Sequence, residues 1–241
     1  MKLDLLIQGG QVPKGRVRVS GAKNSATRLL AAALIASEPV RLRNFPTELV
    51  DVRRKVEFIR MLGGEVELNA DQDRCEVFVS ELDHERVAGK QLMVRTTYLL
   101  AAGQLVRNGI AYVPYPGGCQ IGARGYDLHM MVWEQLGCEV VERKEHIEIR
   151  GRLTGGEISF PFFTVGGTEN ALICASVADG KTLIRNAYIA PEVKDLIDFL
   201  RQLGATINIF GNSLVEVDGV GGLLHGASFE VMPDRLEALT W

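Results

Sequence analysis

Three Leu-Gly pairs, Leu62-Gly63, Leu136-Gly137 and Leu203-Gly204, recur in matching contexts along this chain. Their spacing of about 70 residues marks an internal repeat, and a chain that uses one supersecondary unit three times has few ways to fold. Each unit opens on a segment that is apolar almost all round: residues 28–36 (RLLAAALIA), 98–106 (YLLAAGQLV) and 170–178 (NALICASVA). A helix without a polar face belongs in an interior. A short strand follows, at residues 40–45, 110–113 and 182–187. An amphipathic helix comes next, with its apolar residues at helical spacing: Val52, Val56, Ile59 and Leu62, then Leu128, Val132 and Leu136, then Val193, Leu196, Leu200 and Leu203. The glycine after each final leucine predicts a left-handed C-cap. Two alternating strands close each unit, at 65–68 and 76–79, 139–142 and 146–149, and 206–209 and 214–217. Alternation gives each strand one buried face.

The order helix–strand–helix–strand–strand, three times over, predicts an α/β fold. The three apolar helices need one common shelter. Three units around a pseudo-threefold axis supply it, with helices inside and sheets outside, as an inside-out α/β barrel. Residues 21–230 hold the repeats. Residues 1–20 precede them and carry two strand-like runs, at 3–8 and 16–19. Residues 231–241 end in PDRLEALTW, which reads as the opening of a fourth unit, with Asp234 placed to N-cap a helix.

Composition narrows the function classes. A net charge of −3 argues against a nucleic-acid partner, which draws a strong basic excess. No apolar run reaches bilayer length, so no membrane partner is expected. Residues 1–10 are too short and carry Asp4, so they do not read as a signal peptide. Cys75, Cys119, Cys138 and Cys174 have neither zinc-site nor disulfide-framework spacing. A reducing, cytoplasmic location follows as the expectation.

The chemistry concentrates in a few segments. Residues 116–124 (PGGCQIGAR) set Cys119 in a glycine-rich loop with Arg124 nearby, and a cation beside a thiol favours thiolate. An average cysteine is a small buried apolar residue, and Cys75, Cys138 and Cys174 are read that way. Residues 20–24 (SGAKN) put Lys23 and Asn24 at the start of the first apolar helix, a good place for an anion. Residues 164–168 (TVGGT) hold the equivalent place in unit three; plain N-capping would explain either segment. Arg95 precedes the apolar helix of unit two. Lys23, Arg95 and Thr164 thus occupy corresponding places and are expected to converge on a rim suited to a phosphorylated, acidic substrate. His129 is read as structural or adjacent to substrate.

In order, SGAKN, an arginine before the second inner helix, PGGCxIGAR followed by DLH, VGxTEN and PDR resemble the UDP-N-acetylglucosamine 1-carboxyvinyltransferases, members of the enolpyruvyl transferase family. The resemblance runs the length of the chain. It implies transfer of enolpyruvate from phosphoenolpyruvate to the 3-hydroxyl of UDP-N-acetylglucosamine, the first committed step of peptidoglycan synthesis, with no cofactor and no metal. It implies Cys119 as the acid at the methylene carbon, with Lys23 and Arg124 on phosphoenolpyruvate and Asn24 beside Lys23. Arg95, Arg124, Gly125, Tyr126, Asp127 and Leu128 are implied as nucleotide-sugar contacts, and Thr164, Val165 and Gly166 as the diphosphate turn. Family members usually carry proline where Gly125 stands.

Full members have two three-unit domains with the site between them, and the second supplies the base. The resemblance therefore casts this chain as the N-terminal part, truncated and inactive alone. It casts residues 1–20 as strands of the absent second domain and residues 231–241 as that domain's start. A second-domain chain or self-association is the expected protein partner. Two alternatives stay open: enolpyruvyl transfer to another nucleotide, and a non-catalytic nucleotide-sugar-binding subunit.

Overall fold

The computed structural model describes residues 6, 9–10, 14–87, 95–115 and 125–241, without the side chain of Arg95. The first unit is α1 (Lys23–Ala32), which tightens into a 3₁₀ turn at Ala33–Ile35, then β1 (Val40–Arg43), α2 (Val50–Met61), β2 (Glu65–Asn69) and β3 (Arg74–Phe78). The second is a 3₁₀ segment at Arg95–Leu100 that runs into α3 (Ala101–Asn108), then β4 (Ile110–Pro114), α4 (Asp127–Gln135), β5 (Glu139–Glu142) and β6 (His146–Arg150). The third adds a leading strand: β7 (Glu157–Thr164), α5 (Val165–Val177), β8 (Asp179–Ala187), α6 (Pro191–Gln202), β9 (Thr206–Phe210) and β10 (Leu214–Val220). A short strand β11 (Ser228–Glu230) and helix α7 (Arg235–Thr240) end the chain.

The leucine-glycine pairs terminate the amphipathic helices by one repeated geometry. Gly63, Gly137 and Gly204 have φ of 105°, 87° and 105°, a region closed to most side chains. Each glycine N–H bonds to the carbonyl three residues back, on Arg60, Glu134 and Arg201, each at 3.0 Å. The next N–H, on Gly64, Cys138 and Ala205, bonds to Ile59, Trp133 and Leu200 at 2.9, 3.0 and 2.9 Å. This is the Schellman pair. The carbonyls of Leu62, Leu136 and Leu203 then accept from the N–H groups of Asp83, Thr154 and His225, in the segments leaving each unit.

Those exits tie each unit to the next. Leu82 O accepts from Asn108 Nδ2 at the end of α3. Leu153 O accepts from Asp179 N just past α5, and Leu224 O accepts from Ser37 N just past the first inner helix. The third exit therefore returns to the first unit. The sheets remain three separate sheets, ordered β11-β1-β3-β2, β4-β6-β5 and β7-β8-β10-β9, and none closes on itself. In each, the last strand of the unit lies centrally between the other two, antiparallel to both.

Two strands lie outside the sequence-predicted set. β7 runs parallel to β8, and β11 runs parallel to β1. Both pairings are edge additions. β7 carries Pro161 and loses alternation near its end, and β11 has three residues, so neither carries the period-2 signal of a half-buried strand. Residues 16–19 form no strand; nearby, Gly21 makes an isolated antiparallel bridge with Pro233. Asp234 caps α7 as predicted, accepting from the N–H groups of Leu236 and Glu237.

The inner helices are buried, α5 continuously from Gly167 to Val177. Two of their buried polar side chains are matched internally, where an unpaired group would cost about 1–3 kcal/mol. Ser176 Oγ donates to Leu172 O at 2.8 Å, and Gln104 Oε1 accepts from Tyr112 N at 3.1 Å. Trp133, Leu136, Val193 and Leu200 of the amphipathic helices are fully buried against this centre.

Candidate functional site

A cleft of about 660 Å³ opens at the N-terminus of α5. Its walls come from all three units: Arg28 of α1, Thr96 and Tyr98 of the 3₁₀ segment, residues 125 and 127–129 at the start of α4, and residues 162–166 where β7 becomes α5. Six residues named from the sequence, Gly125, Asp127, Leu128, Thr164, Val165 and Gly166, line this one cleft.

Thr164 is extended, and its Oγ1 accepts from Gly167 N at 3.2 Å, which caps α5. The cap starts the helix facing the cleft, so the partial positive charge of its first turn points there. Gly166 permits close packing: a Cβ at that position would lie 2.8 Å from Tyr98 Oη and 3.4 Å from His129 Cε1. Tyr98 and His129 stack with ring centroids 3.6 Å apart. His129, which no sequence feature connects to a partner, is therefore part of an aromatic wall. Tyr126 precedes α4 and meets Tyr98 and Tyr115 edge-on, at 6.2 and 6.0 Å, behind that wall. At Gly125 any Cβ would collide with the Asp127 carboxylate, so the bare backbone lets Asp127 fold back.

The cleft floor holds an ion pair that the apolar reading of α1 did not anticipate. Arg28 Nε donates to both oxygens of Glu169, at 2.9 and 3.0 Å, and Nη1 donates to Thr27 Oγ1 at 3.0 Å. Burial opposes the Arg28 charge, yet the adjoining Glu169 carboxylate holds its pKa above the usual value. Burial pushes the Glu169 carboxyl up, opposed by Arg28. The single Nε–H shared between both carboxylate oxygens sets the guanidinium against Glu169, so each charge offsets part of the other's burial. Behind them Lys55 is buried and donates to Thr96 O and Thr96 Oγ1, each at 2.9 Å. Burial first, and then the Arg28 charge, push its amine well below the ordinary lysine value. Arg28 was legible as a lone charge inside an apolar helix; Lys55 occupies a position that looks solvent-facing in a charged stretch of sequence.

The other named residues lie elsewhere. Lys23 and Asn24 start α1, and Lys23 Nζ pairs with Asp51 Oδ2 at 3.2 Å rather than lining the cleft. Arg95 starts the 3₁₀ segment. Lys23, Arg95 and Thr164 thus all stand at the beginnings of inner helices. Cys119 and Arg124 lie outside the described residues. Cys75, Cys138 and Cys174 are buried, as their structural reading requires. Burial pushes the Cys75 thiol up to about 12 and Cys138 to about 11, and raises Cys174 as well.

Residues 7–241 match the family model for EPSP synthase (3-phosphoshikimate 1-carboxyvinyltransferase). The chain is 38% identical over 240 residues to a UDP-N-acetylglucosamine 1-carboxyvinyltransferase of Coxiella burnetii, covering 98% of this chain and 55% of that protein. It is 41% identical to the protein of the same name from Oleidesulfovibrio alaskensis, with 98% and 56% covered. The enolpyruvyl transferase NikO from Streptomyces tendae superposes with a TM-score of 0.81 at 26% identity, over 98% of this chain and 56% of that one. The EPSP synthase of Acinetobacter baumannii, at 16% identity and a TM-score of 0.68 over 91% of this chain and 50% of its own, shares the fold. The chain spans about half the length of the curated relatives it matches. With nearly every residue inside the matched region, this chain belongs to the EPSP synthase (3-phosphoshikimate 1-carboxyvinyltransferase) family.

Proposed function

We propose that the chain forms the nucleotide-sugar side of an enolpyruvyl transfer site, with UDP-N-acetylglucosamine as acceptor and phosphoenolpyruvate as donor. The observation that carries this reading is the gathering of Gly125, Asp127, Leu128, Thr164, Val165 and Gly166 around one cleft at a helix N-terminus. A diphosphate suits the first turn of α5, where backbone N–H groups and the helix dipole favour anions. The relatives that share up to 41% identity carry the matching name.

In this reading the family's carboxylate base takes the proton of the sugar 3-hydroxyl as its oxygen adds to the central carbon of phosphoenolpyruvate, while Cys119 protonates the methylene carbon. Loss of phosphate and of one methyl proton then leaves the enol ether. Lys23 and Arg124 supply positive charge for the phosphate and carboxylate of phosphoenolpyruvate, where preorganised cations lower the barrier, and Arg95 contacts the nucleotide sugar. Asn24 and Tyr126 complete the expected contacts. The same reading places the chain in the cytoplasm, at the entry to peptidoglycan synthesis. It closes the three units around a pseudo-threefold axis, supported by the third exit's return to the first unit.

Calorimetric titration of the 241-residue chain with UDP-N-acetylglucosamine tests the reading. Saturable one-site binding is expected. A phosphate-release assay with both substrates measures transfer. Binding without measurable transfer is expected from this polypeptide alone, because the family's carboxylate base is implied outside the matched half. No binding at millimolar nucleotide sugar would overturn the assignment.

A further inference from the structure

The Arg28–Glu169 pair on the cleft floor balances itself, so an anion entering there meets no net charge from it. The next cation inward is Lys55, in the middle of α2 and only 1% exposed. Its hydrogen bonds among the described residues go to Thr96 O and Thr96 Oγ1. Those two acceptors match the two N–H groups of a neutral amine; an ammonium brings a third. Thr96 in turn lines the cleft, at a kink where φ of −88° and ψ of 28° interrupt the 3₁₀ segment. One residue therefore separates the buried amine from the cleft. Arg28 on α1 acts against a proton on Lys55, and Glu169 on α5 acts for it. Beyond them Tyr98 of the 3₁₀ segment acts on Arg28, and Glu192 on α6 acts on both members of the pair. On α2 itself Asp51 is turned to Lys23, while Arg53, Arg54, Glu57 and Arg60 are exposed, as are Glu65 and Glu67 of the neighbouring β2. Asp127 and His129 line the same cleft.

An anion in the cleft changes this balance. Its charge adds to that of Glu169 and offsets that of Arg28, across a buried interior where charges are weakly screened. Both changes favour a proton on Lys55. We propose that Lys55 is the charge-compensating residue of this site: it stays an amine while the cleft is empty and takes up a proton from solvent when a phosphorylated ligand binds, acting through Thr96. This rests on the reading of the cleft as a nucleotide-sugar site. The amine lone pair forms the third N–H bond, and the two bonds to Thr96 persist in both states. The charge therefore changes while the kink that starts the second inner helix holds. Lys55 is a positioning residue in this role, since it touches Thr96 and not the ligand.

The test is calorimetric titration of the full chain with UDP-N-acetylglucosamine, whose diphosphate diester has no proton to exchange near neutral pH. Titrations in two buffers of different ionisation enthalpy, repeated from neutral to alkaline pH, count the protons taken up. Wild type is expected to take up a fraction of a proton that approaches one. Lys55→Met, which keeps the length without the amine, is expected to take up none. Lys55→Arg carries a permanent charge and is expected to bind without uptake as well. Bound ligand raises the Lys55 pKa above its value in the free chain, so wild-type affinity is highest below the free value and declines as pH rises through the bound one. A difference of about one unit makes that decline about tenfold, and Lys55→Met is flat over the same range. Lost packing alone would lower affinity without changing the proton count, and thermal melts show which variants are folded. Equal uptake in wild type and Lys55→Met would assign the proton to another group, such as His129, and overturn the role of Lys55. Binding without uptake in wild type at every pH would overturn it too, and both outcomes leave the nucleotide-sugar reading standing. Failure of the wild-type chain to bind UDP-N-acetylglucosamine would overturn both.

Discussion

Gly166 and Tyr98 meet so closely that a single methyl group would not fit between them: a Cβ at 166 would lie 2.8 Å from Tyr98 Oη. The tyrosine is held by its stack on His129, so it cannot swing away freely. Gly166→Ala is expected to displace Tyr98 or the first turn of α5. UDP-N-acetylglucosamine affinity should fall about tenfold, roughly 1.4 kcal/mol, and the melting temperature should drop by a few degrees. Paired calorimetry and thermal melts check both halves of that statement.

The Arg28–Glu169 pair joins two inner helices, with the Glu169 side chain only 1% exposed. Removing one partner strands the other as a buried charge, which costs about 3–5 kcal/mol. Glu169→Ala should therefore lower the urea midpoint more than the double replacement Arg28→Leu with Glu169→Leu. Equal losses in the two variants would show that packing, and not the charge pair, dominates there.

Lys55 should make stability depend on pH at the alkaline side. Its folded pKa lies below the ordinary lysine value of about 10.4, so the unfolded chain binds more protons between the two. Stability contributed by neutral Lys55 is fully present above the unfolded value and is lost as pH falls through the folded one. Wild type should thus gain stability as pH rises through that window, and Lys55→Met should flatten the slope. Urea titrations across the alkaline range, run on both proteins, measure it.

Thiol labelling separates the cysteines. Burial raises the thiols of Cys75, Cys138 and Cys174 and shields them from reagent. Cys119, in its glycine-rich segment, is expected to be alkylated first. Mass spectrometry after limited alkylation reads the order, and modification of Cys138 ahead of Cys119 would contradict it.

The helix ends offer a control on the repeat itself. Gly137 has φ of 87°, and a Cβ there would lie 2.7 Å from Thr154 Oγ1. Gly137→Ala should destabilise the fold by about 1 kcal/mol or more. Gly204→Ala, where the nearest contact is His225 Cδ2 at 3.2 Å, should cost less. Chemical denaturation of the two variants gives the comparison.

The sequence by itself determined the three units, because their signals are local. Helical spacing at Val193, Leu196 and Leu200, a glycine after each Leu, and Asp234 ahead of α7 act within a few residues of backbone. Each survives unchanged in the structure. Of the three corresponding places that the repeat singles out, Lys23, Arg95 and Thr164, only Thr164 lines the cleft at α5 among the described residues, and Lys23 turns to Asp51 instead. Only the tertiary structure decided the rest. Whether β7 lies beside β8, and β11 beside β1, depends on partners distant in sequence or on edges without alternation. Lys55 reads as a solvated charge until α2 packs it toward Thr96 and Arg28. The exposure of Phe162 and Phe163 arises from a register shift against Asn186 that no local pattern records. Local propensity fixes backbone geometry over a turn or two of chain. Burial, ion pairing and side-chain direction are set by neighbours that only the folded topology supplies.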